Sequence, residues 1–304
     1  MKLVPNFCRT LITDIEAEHF VDGVLCITDR LLKRAAINDI TAAERNIKDY
    51  SYFSTLTHRD NRDFEYRDDD RRKELRAQIT NELFSFSRMK NDDELELGIG
   101  GAKPSTEVKY ESKAIFVIGP PASGKSGVAS KIADLYGAYI LDSDFAKRKL
   151  PEYKNQIGAA TLVHDESDDI VFNTDSGLIN LCISANANII IPKIGHNMQK
   201  IIDFATALKK NKYSVYLVSI DLCRQKATQR AYNRYISTKR YVPLSLVFDG
   251  YGDQPTLNYF KIKQKHLPTF SGYAQISTDV PYGDPPVILE NDEMSELYDI
   301  EWRE

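Results

Sequence analysis

Several features that would indicate other protein classes are scarce in this sequence. Its 304 residues contain four cysteines, with neither a Cys-x-x-Cys pair nor the spacing of a zinc site, so a disulfide framework is excluded and reduced thiols in the cytoplasm are expected. No apolar run approaches the length of a membrane span, and the first residues lack the apolar core of a signal peptide. The formal charge of −4 argues against a broadly basic nucleic-acid binder. We therefore expect no membrane partner and no nucleic-acid partner.

The composition is that of a folded protein. Hydrophobic residues make up 42% of the chain and aromatic residues 10%, and the length allows one large α/β domain and a smaller module.

The most informative stretch is a glycine-rich loop between an apolar run and a helical pattern. The run Ile115–Ile118 is typical of a strand buried on both faces of a parallel sheet. Gly119–Ser126 follows and matches G-x-x-x-x-G-K-[ST], the P-loop or Walker A pattern, and Val128, Ile132 and Leu135 then recur at helical spacing. An ordinary glycine turn would not require a lysine and a serine after the second glycine. The stretch therefore predicts a nucleotide phosphate site.

The chemistry of phosphate binding accounts for these residue types. Glycines let backbone N–H groups turn inward around the phosphates, and the following helix adds the positive end of its dipole. Lys125 is expected to reach the β- and γ-phosphates, and the Ser126 hydroxyl to ligate Mg²⁺. The predicted nucleotide-binding residues are Gly119, Pro120, Pro121, Ala122, Ser123, Gly124, Lys125, Ser126 and Gly127.

Further short apolar runs alternate with helical patterns, which indicates a mostly parallel α/β sheet. They are predicted as strands over Ala138–Leu141, Asn188–Ile191 and Val215–Ile220, with an edge strand over Pro286–Glu290.

Two carboxylates, Asp142 and Asp144, follow the second predicted strand. The carboxyl ends of parallel strands line the ligand crevice, where such groups suit Mg²⁺ or a general base. Helix capping is the alternative role. His164 and Glu166 precede another helical pattern, and for them substrate contact and capping both stay open.

Arginines are spaced along a predicted helix and the loop after it. Enzymes that transfer phosphoryl groups often neutralise the transferring group with arginines on a lid, which would suit Arg234 and Arg240; a solvated charged face is the alternative.

The chain before the P-loop carries no recognisable chemistry. Residues 1–90 are predicted to form a mainly helical module, with a capping box at Thr41–Glu44, a solvated charged face over His58–Arg76, and a core stripe at Leu75, Ile79, Leu83 and Phe86. Residues 91–112 are either a linker or an ordered glycine loop against the nucleotide site. Residues 113–304 are predicted to be the catalytic domain.

These motifs, in this order along the chain, resemble those of the zeta toxins. The zeta toxins are bacterial P-loop kinases of UDP-N-acetylglucosamine that are kept inactive by a separate antitoxin. The resemblance covers about Lys113–Val247. It rests on Gly119–Ser126, on Asp142-Ser143-Asp144 as the strand-end Asp-x-Asp, and on Arg234-Tyr235 and Arg240-Tyr-Val-Pro243 as the lid arginines.

The resemblance implies a P-loop kinase-type three-layer fold and ATP- or GTP-dependent phosphorylation of a hydroxyl on a small nucleotide-containing molecule. It implies that Lys125, Asp144, Arg234 and Arg240 are catalytic, with Asp144 as the base, and that Ser126 and Asp142 hold Mg²⁺. His164, Glu166, Lys193 and His196 are expected to shape the acceptor site. The loop from Pro192 to His196 lacks the family's acid and has a histidine in place of its arginine, so the acceptor can differ from that of the family.

Two further alternatives stay open. One is a kinase for another acceptor, such as a dinucleotide or a nucleic-acid end, and the other is a nucleotide-dependent switch that transfers phosphate only to water. The resemblance also implies an antitoxin as a possible partner, and the other hypothesis is that residues 1–90 act as an in-cis inhibitor.

Overall fold

One six-stranded sheet organises the molecule. The computed structural model describes residues 8–50, 54–154, 159–281 and 283–302. The strands are β1 (Lys113–Ile118), β2 (Tyr139–Ile140), β3 (Ile189–Lys193), β4 (Ser214–Asp221), β5 (Gly272–Ser277) and β6 (Val287–Asp292). Their spatial order is β2-β3-β1-β4-β5-β6, with β1 to β5 parallel and β6 antiparallel to β5.

Helices lie on both sides of this sheet and precede it. They are α1 (Asp14–Phe20), α2 (Arg30–Tyr50), α3 (Asp69–Ser85), α4 (Lys125–Leu135), α5 (Ser143–Lys149), α6 (Ala159–Leu162), α7 (His164–Phe172), α8 (Leu178–Ser184), α9 (Met198–Lys210), α10 (Arg224–Thr238) and α11 (Gln254–Lys265). Within the described ranges, none of them combines the length and the apolar character that crossing a membrane requires.

The central strand β1 is buried from Ala114 to Ile118, because it is hydrogen-bonded on both edges and covered on both faces. Since β1 to β5 run in the same direction, the loops that follow them meet at one edge of the sheet. This edge collects the P-loop, the Asp142–Asp144 segment and the end of β3, which is where the predicted site residues lie.

The predicted fold class is confirmed: the sheet is mostly parallel, has helices on both sides, and is preceded by a helical part. The four predicted strands before residue 221 are present, and Pro286–Glu290 overlaps the antiparallel edge strand β6. The strand β5 was not predicted, because its sequence GYAQIS contains a glycine and a glutamine and shows neither a continuous apolar run nor a clean alternation.

The N-terminal residues pack into two separate cores. The side chains of Leu75, Ile79 and Leu83 on α3 belong to the core that contains the sheet. Helices α1 and α2 form a second apolar cluster with α10 and the chain after it, including Tyr235 and Leu244. Residues 1–90 are therefore not packed as one unit, and the first seven of them lie outside the described residues.

Two local predictions in this region were wrong. Thr41 and Glu44 form no capping box, because both lie inside α2 and the Thr41 hydroxyl donates to the carbonyl of Ile37. The segment His58–Arg76 is not uniformly solvated, because Arg62 and Arg72 are buried and hydrogen-bonded. In the predicted core stripe, Phe86 is 41% exposed.

Candidate active site

The P-loop connects β1 to α4 through a tight turn. Gly124 has a φ of 81° and Ala122 a φ of 58°, in the left-handed region that a glycine adopts without strain. At Gly119 a Cβ would lie 2.9 Å from the Cβ of Ile220, so only glycine fits against β4. The buried Ser123 hydroxyl has no hydrogen-bond partner among the described residues. The loop thus brings its backbone to the start of α4, as phosphate binding requires.

Lys125 lies over the loop that precedes it. Its Nζ donates to the carbonyl oxygens of Gly119 and Pro120 at 2.8 and 2.6 Å. Burial and the nearby Arg234 guanidinium lower the pKa of Lys125 to about 8, although Asp142 and Asp144 act in the opposite direction. The side chain is therefore an ammonium at neutral pH that an additional anion would stabilise.

Asp142 and Asp144 are placed by the end of β2 and the start of α5. Asp142 caps α5, since its Oδ1 accepts from the N–H of Asp144 at 2.9 Å. Burial and the neighbouring Asp144 carboxylate raise the pKa of Asp142 to about 6. Capping, the alternative role considered for this segment, is thus one function of Asp142, and it leaves Asp144 available for chemistry.

Asp144 is held ionised by basic side chains. Its Oδ1 accepts from Lys147 Nζ at 2.7 Å, and its Oδ2 lies 3.5 Å from Arg240 Nη2. Burial by itself would raise the pKa of Asp144, but Lys147, Arg240 and Arg148 outweigh it and lower that pKa well below the usual range. Its side chain keeps 42% of its surface exposed, so a substrate hydroxyl can reach it. Lys147 was not predicted, although its position three residues after Asp144 on a helix was a usable signal.

The two predicted lid arginines approach this pair of carboxylates from α10 and the loop after it. We call residues 234–243 the lid segment. The buried Nε of Arg234 has no hydrogen-bond partner among the described residues, and burial followed by the nearby Arg240 lowers its pKa. A buried guanidinium N–H without an acceptor is costly, and an anion would satisfy it. Burial would lower the pKa of Arg240, but Tyr153, Asp144 and Asp93 outweigh this effect and raise it.

Residues 91–112 are ordered and lie against the site. Lys149, which is 1% exposed, donates to Glu82 and to the carbonyls of Glu96 and Ile99, and thereby fixes this segment to α3 and α5. Asp93 accepts hydrogen bonds from both Arg148 and Arg240. Of the two interpretations left open for this segment, the structure supports the ordered loop. Asp93 was missed because a run of acidic residues gives no signal for a long-range partner.

The predicted acceptor residues are only partly brought together. Lys193, at the end of β3, lies 3.4 Å from Asp168 Oδ1 and 3.6 Å above the Phe172 ring. Asp168 also accepts from the Ser143 hydroxyl at 2.8 Å, which connects the ends of β2 and β3. His164 lies within electrostatic range of Lys147, Asp168 and Asp144, and burial followed by Lys147 lowers its pKa. Asp168 is a candidate site residue that sequence reasoning missed.

Glu166 and His196 contact other side chains. Glu166 is fully buried, and both of its carboxylate oxygens accept from Arg72, at 2.7 and 2.6 Å. It is therefore engaged in the packing of α3 against α7 and is not available to a substrate. His196 is exposed and lies against the Tyr251 ring, with 5.1 Å between ring centroids.

The donors near the P-loop suit Mg²⁺. Ser126 supplies a hydroxyl and Asp142 a carboxylate, which are the hard oxygen ligands that Mg²⁺ binds together with phosphates and water. In the part of the chain that the structure describes, no group of three or more His, Cys, Asp or Glu residues could hold a metal ion by itself. The residues present therefore fit an ion that is bound jointly with a nucleotide.

Comparison with solved structures identifies distant likenesses. A chain from the PezAT chromosomal toxin–antitoxin system of Streptococcus pneumoniae is 15% identical, with 66% of this chain and 81% of that chain covered and a TM-score of 0.45. A chain of the native AvrRxo1-ORF1:-ORF2 complex is 18% identical, with 80% and 74% covered and a TM-score of 0.49. A gluconokinase from Sinorhizobium meliloti 1021 is 14% identical, with 57% and 86% covered and a TM-score of 0.31.

Comparison by sequence identifies a family. No curated protein matches the chain. A family model described as zeta toxin matches residues 99–253, just over half of the chain, and includes the P-loop, the Asp142–Asp144 segment and the lid segment.

Proposed function

The chain belongs to the zeta toxin family, and on this premise we propose that it is an ATP- or GTP-dependent kinase that phosphorylates a hydroxyl of a small nucleotide-containing molecule. The observation that carries the proposal is the buried Nε of Arg234, which has no hydrogen-bond acceptor among the described residues and belongs to a guanidinium within electrostatic range of Lys125. A polyphosphate on the P-loop would match these two cations and supply the acceptor.

The positions of the side chains support the following proposed roles. The backbone of Gly119–Gly127 binds the phosphates, and Lys125 moves from its loop carbonyls to the β- and γ-phosphates. Ser126 and Asp142 would hold Mg²⁺, which would supply charge neutralisation at the phosphates. Arg234 and Arg240 stabilise the charge on the transferring group.

The transfer step requires a base near the acceptor hydroxyl. As the acceptor oxygen bonds to the γ-phosphorus, the bond from that phosphorus to the β,γ-bridging oxygen breaks and a nucleoside diphosphate leaves. The hydroxyl proton passes to Asp144, whose lowered pKa keeps it ionised over the physiological pH range. Proton transfer to so weak a base is favourable only once the hydroxyl has begun to bond to phosphorus. Positioning and charge neutralisation therefore supply most of the catalysis.

The acceptor site is proposed to lie at the ends of β2 and β3. Lys193, His164 and Asp168 surround the approach to Asp144, and their mixed charges suit a polar, phosphate-bearing molecule. UDP-N-acetylglucosamine is the acceptor that family membership suggests. Because His196 lies against Tyr251 and Glu166 is buried, neither is included in this pocket.

The test is transfer to a natural acceptor. Metabolite extracts are incubated with MgATP and either the native protein or the Lys125→Ala variant, and compared by mass spectrometry. A small molecule that gains one phosphate only with the native protein supports the kinase and identifies its acceptor. If no molecule gains phosphate while ATP is hydrolysed, the switch is favoured.

We further propose that residues 8–50 restrain the kinase in cis. Tyr241 of the lid segment donates to Glu44 of α2 at 2.5 Å, and the Tyr235 hydroxyl lies 3.4 Å from the carbonyl of Asp39. Ala122 of the P-loop packs against the same apolar cluster as α1 and α2. The lid segment and the P-loop thus both contact the part of the chain that contains α1 and α2. These contacts oppose the movement of the lid during turnover.

The two possible roles of residues 8–50 predict different changes in the rate of phosphoryl transfer. Loosening a restraint raises the rate, whereas loosening a contact that only stabilises the fold leaves the rate unchanged or lowers it. If α2 restrains the lid, both substitutions raise the rate of phosphoryl transfer: Tyr241→Phe by severalfold, because it removes the hydrogen bond, and Glu44→Gln by less, because its amide oxygen still accepts but carries no charge. The exposed Tyr110, changed to Phe, is the matched control. An unchanged or lower rate in both Tyr241→Phe and Glu44→Gln would refute the restraint.

A further inference from the structure

One carboxylate, that of Asp93, joins two elements that carry the site. Asp93 belongs to a short 3₁₀ turn, Asp92–Glu94, in the ordered loop before β1. Its Oδ1 accepts from Arg148 Nη2 on α5 at 3.1 Å and from Arg240 Nη1 in the lid segment at 3.0 Å. Burial by itself would raise the pKa of Asp93, but the two arginines outweigh it and lower that pKa. Asp93 is therefore a charged acceptor shared by two guanidinium groups.

These contacts close a ring with the proposed base. Arg148 Nη1 donates to the backbone carbonyl of Asp144 at 3.1 Å, and Arg240 Nη2 lies 3.5 Å from Asp144 Oδ2. The ring thus runs through Asp93, Arg240, Asp144 and Arg148. The Arg148 side chain is only 7% exposed, and its two Nη atoms donate to Asp144 and to Asp93. The position of Asp93 is therefore fixed relative to Asp144. Asp93 in turn fixes Arg240.

We propose that Asp93 is a positioning residue that holds Arg240 in the orientation in which its guanidinium binds the γ-phosphate. The inference rests on the proposed function, because it requires a nucleoside triphosphate on the P-loop. A guanidinium has five N–H groups in a fixed planar fork. Asp93 accepts from one Nη and Asp144 lies beside the other, so donors remain on Arg240 for a phosphate oxygen.

The direction in which Asp93→Asn changes nucleotide affinity distinguishes a positioning role of Asp93 from a simple effect of its charge. Removing a negative charge near a phosphate site strengthens the binding of a polyanion if only Coulomb attraction matters. Replacing the Asp93 carboxylate by an amide holds Arg240 less firmly, because a charge-assisted hydrogen bond becomes a neutral one. This weakens nucleotide binding, since the arginine must then be ordered by the nucleotide at an entropic cost. Asp93→Asn thus tests the two effects against each other.

The experiment measures the affinity of the full chain for a non-hydrolysable ATP analogue and for ADP, each with Mg²⁺, by isothermal titration calorimetry. We expect Asp93→Asn to weaken analogue binding about tenfold, roughly the difference between a charge-assisted and a neutral hydrogen bond, and ADP binding much less. In an Arg240→Ala background, Asp93→Asn should cause no further loss. The matched control is Glu94→Gln on the same turn, whose carboxylate interacts with Asn91; it should bind like the native protein.

The outcomes that contradict the role of Asp93 differ from those that contradict the proposed function. Equal or tighter analogue binding by Asp93→Asn overturns it, and so does an equal loss for both nucleotides or an undiminished loss in the Arg240→Ala background. Thermal unfolding of each variant shows whether a loss arises from misfolding, in which case Asp93 is structural and the proposal fails. A native protein that binds neither nucleotide overturns the proposed function and, with it, the role of Asp93.

Discussion

At the scale of the residue, the place of Lys125 in the P-loop was predictable from the sequence, and its lowered pKa was not. The motif indicates Lys125 because the pattern of glycines, lysine and serine has one well-understood use. Its lowered pKa arises from burial and from Arg234, which is more than a hundred residues away in the sequence and reaches the site only through the fold.

This pKa predicts how nucleotide affinity depends on pH. In the proposed role the ammonium form of Lys125 binds phosphate, so the contribution of Lys125 to MgATP affinity is fully present well below pH 8 and is lost as the pH rises through about 8. Calorimetric titrations from pH 6.5 to 9.5 measure this with the native protein and with Lys125→Ala. The ratio of the two affinities should shrink above pH 8. A ratio that stays constant to pH 9.5 would contradict the assignment.

Asp142 is expected to make MgATP affinity depend on pH on the acidic side as well. Because burial and Asp144 raise its pKa to about 6, Asp142 is ionised above that pH and protonated below it. A protonated carboxyl is a poor ligand for Mg²⁺, so MgATP affinity should fall as the pH decreases through about 6. The comparison is with Asp142→Asn, in which this dependence should be absent. If both proteins lose affinity equally at acidic pH, the loss is caused by protonation of the nucleotide and not of Asp142.

At the scale of the element, strand β5 positions the P-loop in a way that the sequence did not indicate. The Thr278 hydroxyl, just after β5, donates to the carbonyl of Ser123 at 2.7 Å, and Arg230 of α10 donates to the Thr278 carbonyl at 2.7 Å. The strand was missed because glycine and glutamine interrupt its pattern, and so was this link between the P-loop and α10.

We expect Thr278→Val to loosen the P-loop. The substitution keeps the shape of the side chain and removes two hydrogen bonds: the buried one to the Ser123 carbonyl and the 3.4 Å one from Arg230 Nη1. This should cost about 1 kcal/mol of unfolding free energy and weaken MgATP binding severalfold. Thr206→Val on α9 is the matched control, since it removes a hydroxyl that donates to a backbone carbonyl of its own helix. Equal effects of the two variants on MgATP affinity would show that the Thr278 link is not specific to the P-loop.

At the scale of the whole molecule, the sheet and the order of the motifs were predictable, and the packing of the N-terminal part was not. Regular apolar runs specify β1, β2, β3 and β4, because each is short, buried and followed by a helical pattern. Helix α3 carries a visible apolar stripe, but no local pattern shows that it packs into the sheet core while α1 and α2 pack on α10. A chain that begins at Ser112 would lose α3, so restraint is better tested by point substitutions.

The buried ions around Arg72 show how this packing is specified. Arg72 on α3 binds Glu166 on α7 and Glu152, and the side chains of Arg72 and Glu166 are 2% and 1% exposed. Partners 94 residues apart leave no signal in the sequence, so Glu166 was assigned to the acceptor site on its loop position alone.

We predict that Glu166→Gln destabilises the protein and does not act on catalysis directly. It leaves the buried Arg72 with one charged partner and should lower the unfolding free energy by about 2 kcal/mol. Guanidinium unfolding measures this, with Glu18→Gln in the exposed pair with Lys33 as the control expected to be near neutral. Native stability with a loss of phosphoryl transfer would instead place Glu166 in the acceptor site.

The central claim is that the site at the carboxyl ends of the parallel strands transfers a γ-phosphoryl group to an organic hydroxyl. The most direct measurement follows the label of γ-³²P-ATP incubated with Mg²⁺, a metabolite extract and the native, Lys125→Ala or Asp144→Asn protein. The account predicts label in an organic phosphate with the native protein alone, while Asp144→Asn still binds ATP. Label released by the native protein only as inorganic phosphate, or equal organic labelling by Asp144→Asn, would contradict it.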